Sequence, residues 1–169
     1  MSDRLPVLID PEYLVGKQSE LRGQLSLSGF SRLAELLADD QGSVDITISF
    51  HQEGDIKTVL GNISAQLFLH CQRCLKPVAL SVDRQFRLGI VKSDEQAGRL
   101  PKLYEPLLVD SEQIMFNELI EDELILAIPD IPKHKECQPK QVTFGTIDIE
   151  EQAEPNPFAI LAKLKSKEN

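Results

Sequence analysis

The sequence predicts an α+β fold: a mainly antiparallel β-sheet, a few α-helices packed against it, and a short helix at the C-terminal end. Between residues 21 and 90, apolar and polar side chains alternate over several stretches, as they do in strands that bury one face. Short turn sequences join these stretches, and strands joined in this way pair antiparallel. Apolar residues that recur at helical spacing over 116–128 add the strongest predicted helix.

The length and composition are those of one globular domain. The chain has 169 residues, of which 41% are hydrophobic and 27% charged. A core can therefore form without disulfide bonds or metal ions. We predict a single α+β domain over residues 1–149, followed by an acidic linker and a C-terminal helix over 150–169.

The N-terminal part of the chain is predicted to hold a short apolar run, one strand and one helix. Residues 5–9 form a short apolar run, either an edge strand or an ordered arm, which Asp10-Pro11 closes. A half-buried strand follows over 21–27. Apolar residues at helical spacing then predict a short amphipathic helix over 30–37, with Ser28 as its N-terminal cap.

Period-two alternation predicts the central strands. The first spans 44–50, the second 56–69 and the third 78–90. The second is predicted to be broken or bulged at Gly61-Asn62, because glycine weakens a strand interior. Arg84 is the one exception to the alternation in the third strand.

The second half of the chain contains the strongest predicted helix. A short helical turn over 93–99 and a brief strand over 107–109 precede the long helix over 116–128, which Pro129 ends. The acidic side chains of this helix are Glu118, Glu121, Asp122 and Glu123. We predict that they form a solvated face and not a catalytic carboxylate pair, since amphipathic helices usually expose their charges.

The clearest chemical signal is a set of three cysteines and one histidine. Cys71 and Cys74 lie where one predicted strand ends and the next begins, and His134 and Cys137 repeat their spacing after the long helix. The chain has only three cysteines, and all of them belong to these two pairs. Three thiolates and one imidazole suit a tetrahedral zinc ion. We therefore predict one structural zinc ion, which these four side chains would bind.

Two alternatives to the zinc site stay open. The cysteines can be ordinary cytosolic thiols near a surface loop, or a redox pair. A reactive Cys-x-x-Cys pair usually opens a helix, whose dipole lowers the pKa of the first thiol. Here Cys74 is followed by Pro77 and an extended strand, so the sequence favours zinc over redox chemistry.

Charge and motif content argue against several classes of function. The net charge of −9 disfavours broad nucleic-acid binding unless a local basic patch exists. The sequence has no glycine-rich phosphate loop, no nucleophile elbow, no plausible Ser/His/Asp set and only three histidines. We therefore expect neither an enzyme nor a small-molecule substrate.

The compartment is predicted from the amino terminus and from cysteine usage. The amino terminus lacks the apolar region of a signal peptide, and no window approaches the length of a transmembrane helix. An odd number of cysteines without an export signal indicates a reducing compartment. We predict a cytoplasmic protein without a membrane partner.

The C-terminal segment combines an apolar face with basic residues. Asn156 can cap a helix and Pro157 can occupy its first position. The apolar residues that follow are Phe158, Ile160, Leu161 and Leu164, interleaved with Lys163, Lys165 and Lys167. These four apolar side chains are predicted either to bind a partner or to pack on their own domain, as terminal helices often do.

Several stretches of the chain, in the same order, resemble the YceD family of bacterial large-ribosomal-RNA accumulation proteins. The resemblance is carried by the Cys71–Cys74 motif, the segments Lys92–Ala97 and Tyr104–Pro106, the run Glu121–Pro129, the His134/Cys137 pair, Phe144-Gly145 and Asn156–Leu164. Together they span nearly the whole chain.

The resemblance implies a role in the synthesis, processing or stability of large-subunit (23S) ribosomal RNA, without a known catalytic activity. The family's Cys-x-x-Cys motif corresponds to Cys71 and Cys74, and its later histidine and cysteine correspond to His134 and Cys137. The implied partner is a ribosome-assembly protein or an RNA–protein complex. The alternative function is a cytosolic thiol-based redox or metal-sensing module.

Overall fold

The computed structural model describes residues 5–139. The predicted linker and C-terminal helix over 150–169 lie outside the described residues, as does the Phe144-Gly145 motif. The predicted partner-binding residues also lie outside them: Phe158, Ile160, Leu161 and Leu164.

Eight strands and four helices make up the described part of the chain. The strands are β1 (Leu8–Ile9), β2 (Glu20–Ser26), β3 (Leu37–Asp39), β4 (Ser43–Glu53), β5 (Ile56–His70), β6 (Pro77–Val91), β7 (Glu105–Leu108) and β8 (Ile114–Met115). The helices are α1 (Pro11–Gly16), α2 (Ser31–Ala34), α3 (Asp94–Ala97) and α4 (Phe116–Ala127), with a 3-10 turn at Leu27–Gly29.

The main sheet has the strand order β2-β4-β5-β6-β7, and β3 also pairs with β5. These pairs are antiparallel except β6 with β7, which is parallel. The exception has a topological cause, because β6 and β7 are joined by a crossover that contains α3 and not by a hairpin. The α+β class is confirmed, but the sheet is mixed and not wholly antiparallel. Strands β1 and β8 form a separate antiparallel pair.

The hydrophobic core lies between one face of the sheet and the helices. Val44 and Ile63 from the central strands are fully buried together with Phe116, Ile120 and Leu124 from α4. On the opposite face, cross-strand neighbours are polar, as where Asn62 pairs with Thr47 and Gln85. The alternation in the sequence thus separates a packed face from a solvated face.

Strand β5 runs without interruption through Gly61, so the predicted break at Gly61-Asn62 is wrong. Gly61 pairs with Phe86 on β6, and a side chain at Gly61 would collide with the phenyl ring. The glycine therefore allows the aromatic ring of a neighbouring strand to pack over the backbone.

The helix predicted over 30–37 is shorter in the structure. Helix α2 spans only Ser31–Ala34, its N-cap residue is Phe30 and not Ser28, and Leu37 already belongs to β3. Phe30, Leu33 and Leu37 are buried as their periodicity predicts, but Leu37 is paired with Leu69 at the end of β5. Tertiary strand pairing has overridden the helical pattern.

Helix α1 was not predicted from the sequence, although its start signal is present. The Asp10 side chain accepts a hydrogen bond from the Tyr13 N–H at 2.9 Å, and Pro11 occupies the first helical position. An aspartate followed by proline is a common start of a helix. None of the helices in the described part of the chain is long and apolar enough to cross a membrane.

The prediction that the acidic residues of α4 form a solvated face is wrong for two of them. Glu121 and Glu123 are only 4% and 3% exposed. Arg32 Nε lies 3.0 Å from a Glu121 oxygen, and Arg84 Nε lies 2.7 Å from a Glu123 oxygen. Arg84 thus breaks the alternation of β6 because it pairs with a buried carboxylate.

Glu121 also satisfies the start of α2. One of its oxygens accepts hydrogen bonds from the backbone N–H groups of Arg32 and Leu33, at 2.7 and 3.0 Å. Burial alone would raise the pKa of Glu121, but these hydrogen bonds and the Arg32 guanidinium outweigh it and lower that pKa. The carboxylate therefore replaces the side-chain cap that Phe30 cannot supply.

Candidate metal centre

The first half of the centre is the turn that joins β5 to β6. The Cys71 N–H donates to the Lys76 carbonyl at 2.9 Å, and the Leu75 N–H donates to the Cys71 carbonyl at 2.9 Å. Leu75 adopts a left-handed backbone conformation, with φ +62°. This tight turn closes the hairpin and brings the side chains of Cys71 and Cys74 to the same side of the chain.

The second half is the irregular segment after α4. Residues 131–139 contain no regular helix or strand. The backbone of this segment is attached directly to the turn, because the Gln72 N–H donates to the Pro132 carbonyl at 2.8 Å. Pro132 lies two residues before His134, so the attachment brings the second pair of candidate ligands beside the first.

The structure brings together all four residues of the predicted zinc site. Cys71, Cys74, His134 and Cys137, which we call the Cys3His cluster, place their donor atoms within 4.8 Å of one another. The Cys71 and Cys137 sulfurs are 3.7 Å apart, and the Cys74 sulfur is 3.4 Å from His134 Nδ1. A tetrahedral zinc ion with bonds of about 2.3 Å to sulfur and 2.0 Å to nitrogen separates its ligand atoms by about 3.5–3.8 Å. The donor set and these two distances fit zinc.

The orientation of the histidine also fits metal binding. His134 Nε2 lies 3.0 Å from the Pro77 carbonyl oxygen. Because a carbonyl oxygen can only accept, the proton belongs on Nε2, and Nδ1 is left with a free lone pair that faces Cys74. Metal-binding histidines commonly use the second ring nitrogen in this way.

Arg73 ties the two halves together. Its Nε donates to the Cys137 sulfur at 2.8 Å, and its Nη2 donates to the carbonyl oxygens of His134 and Lys135 at 2.9 and 3.4 Å. The guanidinium therefore stabilises negative charge on the Cys137 sulfur and fixes the backbone between His134 and Cys137.

The thiols of the cluster have unequal acidity. Burial opposes ionisation of Cys71, but the backbone N–H groups of Cys74, His134 and Arg73 outweigh burial and lower its pKa to about 5. For Cys74, the Lys76 backbone favours the thiolate, but burial and the neighbouring sulfurs of Cys71 and Cys137 raise its pKa. One thiolate forms readily, and a second is disfavoured unless a cation balances the charge.

The cluster lies at the edge of the domain, as the partial exposure of three of its four residues shows. Cys71 is fully buried, whereas Cys74, His134 and Cys137 are half-buried. The hairpin and the segment after α4 hold the four side chains, so a bound ion would connect parts of the chain that are distant in sequence. The backbone donors and the Pro77 carbonyl were not predicted, because their positions depend on the folded turn.

Comparison with known proteins identifies the family. The sequence profile of the family described as large ribosomal RNA subunit accumulation protein YceD matches residues 59–165. The chain belongs to the YceD family. The matched region begins within β5 and contains all four residues of the Cys3His cluster.

A curated relative extends the similarity over almost the whole chain. It is a Haemophilus influenzae protein named large ribosomal RNA subunit accumulation protein YceD, 32% identical over 177 aligned positions. The alignment covers 97% of this chain and 98% of that protein. No solved structure matches this chain.

Proposed function

We propose that this protein is a cytoplasmic ribosome biogenesis factor that supports the accumulation of large-subunit (23S) ribosomal RNA. The observation that carries the proposal is membership in the YceD family together with the name of the Haemophilus influenzae relative. The protein would act by binding, without catalysing a reaction, during the synthesis, processing or stabilisation of that RNA.

The proposed role of the Cys3His cluster is structural. Cys71, Cys74, His134 and Cys137 would hold one zinc ion, and four protein ligands would fill its tetrahedral coordination and leave no position for a substrate. The ion would cross-link the two segments and neutralise the thiolates. Arg73 would hold Cys137 in place, and the Pro77 carbonyl would orient His134.

The proposed partner is a ribosome-assembly protein or an RNA–protein complex, with neither a membrane nor a small molecule involved. In the proposed domain organisation, residues 1–149 form the domain and the acidic linker and helix over 150–169 reach the partner. The apolar side chains proposed to contact it are Phe158, Ile160, Leu161 and Leu164.

A thiol-based function is the second candidate, and the lowered pKa of Cys71 is the observation that favours it. However, Cys71 is fully buried, and reactive cysteines are usually accessible to their oxidants or substrates. The turn also joins two strands, so no helix terminus activates the pair. These features suit metal binding better than redox exchange.

Metal analysis separates the two candidates. Protein purified without chelator should contain about one zinc ion per chain, and the Cys74→Ser variant should contain almost none. His70→Gln is the matched control, because His70 adjoins Cys71 but is exposed and outside the cluster. Wild-type protein without zinc, in which Cys71 and Cys74 readily form a disulfide, would favour the thiol-based function.

Deletion of the gene tests the ribosomal role. Cells without the protein should contain less large-subunit RNA relative to small-subunit RNA, and a plasmid copy of the wild-type gene should restore the ratio. The ratio should be measured under both cold and normal growth. If deletion leaves it unchanged in both conditions, the proposal is wrong.

A further inference from the structure

A group of exposed basic side chains surrounds the Cys3His cluster. Arg73 and Lys76 belong to the turn between β5 and β6, and Lys133 and Lys135 to the segment after α4; all four are exposed. We call these four cations the basic surface. Among them lies one acidic residue, Glu136, whereas the whole chain has 18 basic and 27 acidic residues. The charge of this region is therefore opposite to that of the protein.

Folding creates the basic surface from two separate segments. The Gln72 N–H bonds the Pro132 carbonyl, and Arg73 Nη2 bonds the carbonyls of His134 and Lys135. These contacts place Lys133 and Lys135 beside the turn that carries Lys76. Neither segment alone is strongly basic, so the surface is not visible in the sequence.

The three lysines of the basic surface have no anionic partner among the described residues, whereas Arg73 already donates to the Cys137 sulfur. Within residues 5–139, no carboxylate lies at salt-bridge distance from Arg73, Lys76, Lys133 or Lys135. Elsewhere in the domain, most cations are paired with carboxylates: Arg22, Arg32, Lys57, Arg84, Arg87 and Lys92. Within the described part of the chain, the charges of Lys76, Lys133 and Lys135 therefore remain available to an external anion.

A bound zinc ion would not neutralise the positive charge of the basic surface. Three thiolates and one neutral imidazole around Zn²⁺ carry a formal charge of about −1. The positive charge of the four cations is larger than the summed negative charge of the zinc centre and Glu136. The surface stays positive whether or not the Cys3His cluster holds a metal.

We infer that the basic surface binds the phosphate backbone of RNA directly. The inference rests on the proposed function, since it names the part of the protein that would contact the ribosomal RNA. Lysine side chains supply flexible point charges that suit phosphate oxygens, and neutralising phosphates is the main source of affinity for nucleic acid. The acidic remainder of the domain would be repelled, so RNA would be oriented towards this one end.

The composition of the surface favours RNA over an acidic protein. Protein–protein interfaces are enriched in aromatic residues and depleted in lysine. Residues 70–77 and 131–139, which carry the basic surface, contain three lysines and no aromatic residue of the Phe, Tyr or Trp type. The exposed apolar side chains nearby are aliphatic, Leu75 and Ile131. Such a surface has charge for a phosphate backbone but lacks the anchors of a protein interface.

The experiment measures RNA binding by the full chain loaded with zinc. The probe is a short, labelled, single-stranded RNA of mixed sequence, and the readout is fluorescence anisotropy over a series of salt concentrations. A variant with Lys76→Gln, Lys133→Gln and Lys135→Gln should raise the Kd about 10- to 100-fold at about 0.1 M salt, and the slope of log K against log salt should fall by about 2.

A matched control removes the same charge elsewhere. Lys17→Gln, Arg99→Gln and Lys102→Gln change exposed residues outside the basic surface and alter the net charge equally. This control should bind RNA as the wild type does, or nearly so. Zinc content and melting temperature are measured for both variants. Lys133→Gln alone is a second test variant, because no described side-chain hydrogen bond or salt bridge involves the Lys133 side chain, and it should raise the Kd a few-fold.

Three results would overturn the inference. Equal weakening in both triple variants would show an effect of net charge alone, and unchanged binding in the basic-surface variant and in Lys133→Gln would place the RNA contact elsewhere. Displacement of the RNA by a poly-glutamate competitor at equal charge concentration would indicate an acidic protein partner. These outcomes are distinct from failure of the proposed function, because a fall in large-subunit RNA on gene deletion is measured without reference to the basic surface.

Discussion

Two polar clusters join the C-terminal part of the described chain to the β5–β6 hairpin, and they are neutralised differently. Glu123 on α4 is buried against Arg84 on β6, so its charge is balanced within the protein. The Cys3His cluster gathers three sulfurs, and among the described residues only Arg73 places a cationic side chain in hydrogen-bond contact with one of them. Ionising all three thiols requires a further positive charge. The first cluster is complete when the chain folds, and the second would be complete only with the proposed zinc ion.

This difference implies that the two clusters stabilise the domain in different ways. A buried ion pair contributes little beyond the cost of removing both charges from water, but loss of one partner leaves the other unpaired. A metal that binds only the folded chain adds stability in proportion to the logarithm of its concentration. The ion pair should therefore affect the free energy of unfolding mainly when one of its partners is removed. The metal centre should raise the free energy of unfolding whenever metal is bound.

The largest expected effect is that of removing zinc. At a zinc concentration about a thousand times its dissociation constant, binding adds about 4 kcal/mol to the free energy of unfolding. For a domain of this size, chelation should lower the melting temperature by about 10 °C. Unfolding should remain cooperative, because the hydrophobic core is formed by residues outside the cluster. The measurement is calorimetry with and without chelator, and Cys74→Ser should melt like the chelated wild type.

The outcome would alter the comparison in one of two ways. If chelation does not change the melting temperature of zinc-loaded protein, a metal ion in the cluster does not stabilise the fold. The charge of its sulfurs would then be balanced by the protein's own groups, as Arg84 balances Glu123. If chelation abolishes folding altogether, the metal is needed by the core and not only by the edge of the domain. His70→Gln should respond to chelator as the wild type does.

Breaking the Glu123–Arg84 pair should have the next largest effect. Glu123→Ala leaves the Arg84 guanidinium at the core face of the sheet without its closest carboxylate, and should lower the free energy of unfolding by about 3 kcal/mol. The double variant Glu123→Leu and Arg84→Met should recover most of the loss, since an apolar pair removes both charges. Urea denaturation of the three proteins measures both effects.

Zinc content provides the internal control for this prediction. Neither variant touches the Cys3His cluster, so each should still bind about one zinc ion. A loss in Glu123→Ala that the double variant does not recover would show that the pair does more than balance charge. A loss well below about 1 kcal/mol would show that Glu105, which lies 3.5 Å from Arg84 Nη2, or water balances the guanidinium when Glu123 is removed.

The elements of this chain that can be predicted from sequence are those whose pattern is local. Alternation and helical spacing predict β2, β4, β5, β6 and α4, because their apolar residues line one core. The Cys3His cluster is predictable because cysteines are rare and their spacing is local. The burial of Glu121 and Glu123 is not, since polar patterns are interpreted as solvent-facing and the partners are distant in sequence. The parallel β6–β7 pair and the basic surface also depend on contacts between distant segments.

The smallest predicted effect is a pH dependence that has opposite signs for the two buried carboxylates of α4. Hydrogen bonds from α2 lower the pKa of Glu121 below 4.5 despite its burial, whereas burial raises the pKa of Glu123 above 4.5 despite Arg84. Glu121 therefore contributes stability that is present above about pH 4.5 and is lost as the pH falls through its folded pKa. Glu123 contributes stability that is present below about pH 4.5 and is lost as the pH rises through its folded pKa.

Two conservative variants measure these contributions separately. The difference in unfolding free energy between wild type and Glu121→Gln should grow as the pH rises towards 4.5, and the difference between wild type and Glu123→Gln should shrink as the pH rises above 4.5. Because both variants retain the Cys3His cluster, any release of zinc by acid is common to them and cancels in the differences. If both differences change in the same direction with pH, the hydrogen bonds from Arg32 and Leu33 do not distinguish Glu121 from Glu123, and a single desolvation effect governs both carboxylates.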